Sequence, residues 1–164
     1  MATTYPVLRW QIGDVRISRA RYLISRKEWD CCKNEAAGPD REVRNDSLRK
    51  VQKAGLADLV ESDHHTKEVF LEPAPGHTPG HVSARINSQG GEAVIPGELM
   101  HLPVQCGKSN WASRFDVVPD AARRTRRVFL ERYADKAMLV LGTHFAMPTA
   151  RRIIRAGNTF QFGH

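Results

Sequence analysis

Four histidines stand where strand-like runs give way to loops: His77, His81, His101 and His144. At such junctions a rigid sheet aims a side chain while the loop leaves room for a ligand. Imidazole is also the commonest metal donor and the side chain that exchanges protons near neutral pH. Among these sites the segment Ala74-Pro75-Gly76-His77-Thr78-Pro79-Gly80-His81 is the most specific. Its prolines and glycines fix a tight path that presents a histidine to a pocket. Within it, His81 is expected to orient the loop, and Asp63-His64-His65 is expected to be a polar surface turn. Cys31-Cys32 offers thiol chemistry only if a base or cation lies close enough to form the thiolate. Packing of a helix is the simpler expectation for this pair.

The elements that position these residues follow from hydrophobic period. From Val7 to Ser25 short apolar runs, with a turn at Gly13-Asp14, predict β structure. Ser25-Arg26-Lys27-Glu28 matches a helix-capping box and predicts a short helix carrying Trp29. A polar loop over Lys33 to Arg41 follows, then a second helix with Leu48, Val51 and Ala54 on one face, stopped by Gly55. Strands are predicted at Glu68 to Leu71, Val82 to Ile86, Ala93 to Ile95 and Met138 to Leu141. Between the last two lies the clearest helix, Asp120 to Tyr133, with Ala122, Thr125, Phe129 and Tyr133 on one side. Arg152 to Phe162 reads as a hairpin turning at Gly157-Asn158.

The chain has 164 residues, 41% of them hydrophobic, which predicts one domain with a core of its own. Lys and Arg number 25 against 18 Asp and Glu, for a net charge of +7, which favours anionic ligands without choosing among them. Arg123-Arg124 and Arg126-Arg127, with Arg151, Arg152 and Arg155, could form a basic surface. No aromatic residues interleave them, so a solvated helix face and hairpin edge is the expectation, and nucleic-acid binding ranks last. The three cysteines are odd in number and lack C-x-x-C spacing, which fits a reducing compartment. Residues Met1 to Trp10 carry no apolar run of signal-peptide length, and no stretch reaches that of a membrane span. A soluble, cytoplasmic protein is expected.

Ala74 to His81 resembles the third metal-binding motif of metallo-β-lactamase fold hydrolases, in the branch near acyl-homoserine-lactone lactonases and methyl parathion hydrolase. Further matches run in family order. Trp10 to Val15 resembles the first strand, Ala20 to Trp29 the stretch after the first metal motif, Pro96 to Gln105 the loop with the bridging carboxylate, and Gly142 to Phe145 the last histidine motif. The resemblance implies an α/β (α+β) fold, a shortened αββα sandwich with mainly antiparallel sheet and flanking helices. Residues 1–19 would supply its first strands and 20–164 the second half of the fold.

Two departures stand out. Nothing here reads H-x-H-x-D-H, the loop that brings most ligands to the usual two-metal site, and Glu98 stands where the family has aspartate. What the resemblance leaves is His77, Glu98 and His144, a set able to bind one divalent ion, zinc being the natural choice, with positions open for water or substrate. Glu98 and His101 are the expected catalytic residues, His101 as acid or base. The leading expectation is therefore a metal-assisted hydrolase of small esters, lactones or phosphoesters. The alternative is a metal-free, non-catalytic remnant or binding protein of the same fold. Loss of first-half strands would uncover an apolar sheet face, which predicts a homodimer.

Overall fold

The structure, a computed structural model, describes residues 10–12, 15–17, 21–34 and 48–163. The expected turn at Gly13-Asp14, the run at Val7-Leu8 and the loop residues 35–41 lie outside the described residues. In chain order the elements are β1 (Trp10–Ile12), β2 (Val15–Ile17), β3 (Tyr22–Ser25), α1 (Arg26–Asn34), α2 (Leu48–Lys53), β4 (Ala57–Val60), β5 (Val69–Pro73), β6 (Val82–Ser88) and β7 (Gly91–Ile95). A 3₁₀ turn (Gly97–Leu99) and α3 (Val104–Gly107) lead to α4 (Pro119–Tyr133), β8 (Leu139–Leu141), β9 (Ala150–Ala156) and β10 (Thr159–Gly163).

The fold is mixed α/β around a six-stranded sheet of order β10-β9-β8-β7-β6-β5. Neighbours run antiparallel except β7 and β8, which are parallel because α4 intervenes and returns the chain to the same edge. The β6–β7 hairpin turns through Gln89 (φ 51°) and Gly90 (φ 80°), the double left-handed conformation that matches strand twist in a two-residue loop. Two smaller pairings stand apart, β1 antiparallel to β2 and β3 parallel to β4. The sequence reading has no strand at β4, a four-residue run that is too short for periodicity to identify.

One sheet face carries the core. Val94, Val140, Ile153 and Phe160 are 0–1% exposed and pack with Phe129, Leu130 and Tyr133 of α4. Each such side chain contributes roughly 1.5–3 kcal/mol on burial. The buried positions Ala122, Arg126, Phe129, Leu130 and Tyr133 recur at helical spacing, as one face of α4 must. Arg126 corrects the sequence reading, which put all the α4 arginines on a solvated face. It is fully buried, with Nε donating to the Leu99 carbonyl (2.9 Å) and Nη1 to the carbonyls of Ser109 (3.2 Å) and Trp111. The other α4 arginines behave as expected, Arg123 pairing with Asp120 and Arg127 with Glu131 on the surface.

Candidate metal centre

Because β6 runs opposite to β5 and β7, and β8 runs with β7, the loops after β5, β7 and β8 leave the sheet at one edge. Those loops carry His77 and His81, Glu98 and His101, and His144. Thr143 Oγ1 donates to the Gly97 carbonyl (2.7 Å), tying the last loop to the second. Thr125 Oγ1 of α4 donates to the Pro75 carbonyl (2.7 Å), and the Val117 and Val118 amides donate to the His77 and Gly76 carbonyls, both at 2.9 Å. The first loop is thus held from outside. A side chain at Gly76 would meet the Ala122 backbone at 2.3 Å, so glycine there lets the loop lie directly on α4.

His81 performs the structural role expected of it. Its Nε2 accepts the Glu98 amide hydrogen (2.9 Å), which puts its own proton on Nδ1, facing the Ala74 carbonyl at 3.0 Å. Burial lowers its pKa and keeps it neutral, with the Ala74 contact opposing. The ring therefore pins the Glu98 backbone to the Pro/Gly loop. Gly97 permits this closeness, with φ 62° and a virtual Cβ 2.7 Å from His81 Nε2.

Glu98, His101 and His144 converge. Both Glu98 oxygens lie 2.8 Å from His144 Nε2, and Oε2 lies 3.0 Å from His101 Nε2. One donor atom from each residue falls within 4.8 Å of the others. The His101 and His144 rings stack, with centroids 5.1 Å apart. Burial alone would raise the Glu98 pKa, but the His144 hydrogen bond and the charges of His144, His101 and His77 outweigh it and hold the carboxyl below its usual range. An ionised carboxylate only accepts, so His144 Nε2 carries its proton toward it. His101 is shifted down, chiefly by burial, with His144 and His77 adding and Glu98 opposing.

His77 lies beside this group, its ring centroid 5.6 Å from that of His101. Its Nδ1 faces Asp116 Oδ1 at 3.4 Å. His101, expected as an acid or base, is thus placed among the converging donors, and His77 next to them. Asp116 has no precedent in the sequence reading, because it sits in no motif and only the folded chain brings 116 to 77 and to the buried Arg126. Asp63-His64-His65 forms the expected turn, with His65 stacked on Phe70 at 5.8 Å. Cys31 and Cys32 are half-buried on α1, and Glu28 there accepts a hydrogen bond from Thr78 (2.6 Å), joining α1 to the site loop.

Two imidazole nitrogens and a carboxylate oxygen suit zinc or a similar divalent ion. A tetrahedral ion would need its donors about 3.4 Å apart. The Glu98 oxygens stand 2.8 and 3.0 Å from the two Nε2 atoms, and Glu98 and His144, 36% and 48% exposed, have room to draw apart by that difference, so the residues present fit a single ion.

No protein-family model and no curated protein matches the chain. Solved structures do. AidC, a dizinc quorum-quenching lactonase in complex with a product, is similar at a TM-score of 0.71 and 22% identity, over 85% of this chain and 53% of its own. AbOPH, a hydrolase of the β-lactamase superfamily, gives 0.72 and 21% over 87% and 54%. A probable metal-dependent hydrolase from Staphylococcus aureus gives 0.63 and 18% over 84% and 49%. The chain has the metallo-β-lactamase-like fold of these proteins and spans about half the length of each.

Proposed function

We propose that this protein is a metal-assisted hydrolase of small esters, lactones or phosphoesters. The observation that carries the proposal is the convergence of Glu98, His101 and His144, with donor atoms within 4.8 Å, at one edge of the sheet. Its fold neighbours include a dizinc lactonase and other hydrolases, which supports the reaction class. Glu98, His101 and His144 would hold one divalent ion, zinc by donor chemistry, and the ion would supply Lewis acidity to a carbonyl or phosphoryl oxygen. One Glu98 oxygen suffices as a donor. The second oxygen would accept the proton of the attacking water. His81 holds the Glu98 backbone in register for that transfer.

Hydrolysis of a panel of activated esters, lactones and phosphotriesters, with and without chelator, tests this reading. Chelator-sensitive turnover abolished by Glu98→Gln is the expected result. Turnover indifferent to chelator and to Glu98→Gln would defeat it, and metal-free, inactive protein would favour a non-catalytic remnant.

The homodimer expected from sequence is also proposed. On the sheet face opposite the core, Leu71, Ala84, Ile95 and Leu141 are only half-buried and Leu139 is 43% exposed. A second copy packing on that face would complete a sheet-on-sheet core.

A further inference from the structure

Three charged or titratable side chains run inward from the site in single file: His77, Asp116 and Arg126. The Asp116 and Arg126 side chains are 0% exposed and that of His77 18%. Asp116 Oδ2 accepts the Ser113 amide hydrogen at 2.8 Å and lies 3.9 Å from Arg126 Nη2. Asp116 Oδ1 and His77 Nδ1 are both buried without a hydrogen-bond partner, and they face each other at 3.4 Å. Of the two neutral His77 tautomers facing an ionised Asp116, one resolves that pair. With the proton on His77 Nε2, the Nδ1 lone pair would face a carboxylate oxygen in a site closed to water, two acceptors with no donor between them. With the proton on Nδ1, a slight approach satisfies both.

We propose that Asp116, anchored by Arg126 and the Ser113 amide, is a positioning residue that fixes the His77 proton on Nδ1 and leaves Nε2 bare as a further donor beside Glu98, His101 and His144. Orientation of a ligand histidine by a carboxylate behind it is worth about 10–100-fold in metal affinity. The same arrangement accounts for a buried arginine: Arg126 carries the loops of residues 99–111 by its carbonyl contacts and offers the counter-charge to Asp116. The donor role of Nε2 rests on the metal-centre reading, whereas the position of the proton does not.

The discriminating variant is Asp116→Asn, which preserves shape. The Ser113 amide needs an acceptor, so the asparagine oxygen takes the Oδ2 place and its NH₂ group faces His77. That turns the partner of Nδ1 from acceptor to donor and moves the imidazole proton to Nε2. The tautomer is read in metal-free, ¹⁵N-labelled protein from two-bond proton–nitrogen correlations of the His77 ring at a pH where it is neutral. Zinc affinity is measured in parallel, with circular dichroism to verify folding. Expected are an Nδ1–H tautomer in the native protein, Nε2–H in Asp116→Asn, and zinc binding about 10–100-fold weaker in the variant. An Nε2–H tautomer in the native protein would overturn the proposal even if the variant failed to fold. So would a folded variant with the native tautomer and unchanged zinc affinity. Native protein with the Nδ1–H tautomer but no zinc binding would uphold the Asp116 assignment and defeat the metal-centre reading.

Discussion

Individual residues here are set by what they lose on burial. Cys106 is 1% exposed in the core, and burial pushes its pKa up to about 12, with Arg126 opposing. A thiol reagent at pH 8 should therefore leave Cys106 unlabelled until the protein is unfolded, and labelling in the folded state would contradict the packing described. Tyr133, buried and donating to Glu72 at 2.6 Å, is likewise pushed up to about 12. Both groups fold in their neutral forms with raised pKa values. The stability they contribute is complete below their ordinary values of 9.0 and 10.0, and is lost as pH rises through about 12. Denaturant midpoints measured from pH 8 to 12 should fall along that limb. Arg126→Met should cost about 3–5 kcal/mol, since it leaves Asp116 buried without its cation and the Leu99 carbonyl without its donor. A loss below about 1 kcal/mol in chemical denaturation would mean the arginine is not the strut inferred here. Helical period puts Arg126 on the face of Ala122, Phe129, Leu130 and Tyr133, but its charge assigns it to solvent with its arginine neighbours, so the burial was not legible from residue type. A guanidinium with several carbonyls to satisfy can occupy a core position that composition assigns to solvent.

At the scale of elements, period and turn chemistry predicted most of what is seen. The helix expected over Asp120 to Tyr133 begins one residue earlier, at a proline suited to a first turn, and the last hairpin turns at Gly157-Asn158 as expected. The capping box at Ser25 is half realised: the Glu28 amide lies 3.5 Å from Ser25 Oγ, and the Glu28 carboxylate turns to Thr78. Tertiary contact wins over the local motif there. Positions of His77, His81, Glu98, His101 and His144 at strand ends were legible, but not which of them meet, because that depends on strand order and on the parallel β7–β8 step. Gly97 couples backbone to site most directly. Gly97→Ala would force a methyl toward His81 Nε2 at 2.7 Å and strain a left-handed φ, displacing the amide of Glu98. Expected are a stability loss of about 1–3 kcal/mol and zinc binding weakened more than tenfold. Native zinc affinity in this variant would mean that the His81 contact does not set the position of Glu98.

For the whole molecule, the fold was legible through motifs that resemble those of metallo-β-lactamase fold proteins, and the chain, about half the length of its fold neighbours, contains a six-stranded sheet with the site loops at one edge. On the opposite sheet face Leu139 is exposed while Val140, one residue on, is fully buried. Light scattering of the purified chain should give the mass of a dimer, with Leu139→Glu shifting it to monomer; a monomeric native protein would contradict the proposed pairing. Among the described residues no helix is long and apolar enough to cross a membrane. Glu98, His101 and His144 are proposed to hold an ion. Elemental analysis of native protein, Glu98→Ala and His144→Ala tests it most directly. The account predicts about one zinc or equivalent divalent ion per chain in the native protein and almost none in either variant; native protein free of metal after equilibration with excess zinc would contradict it.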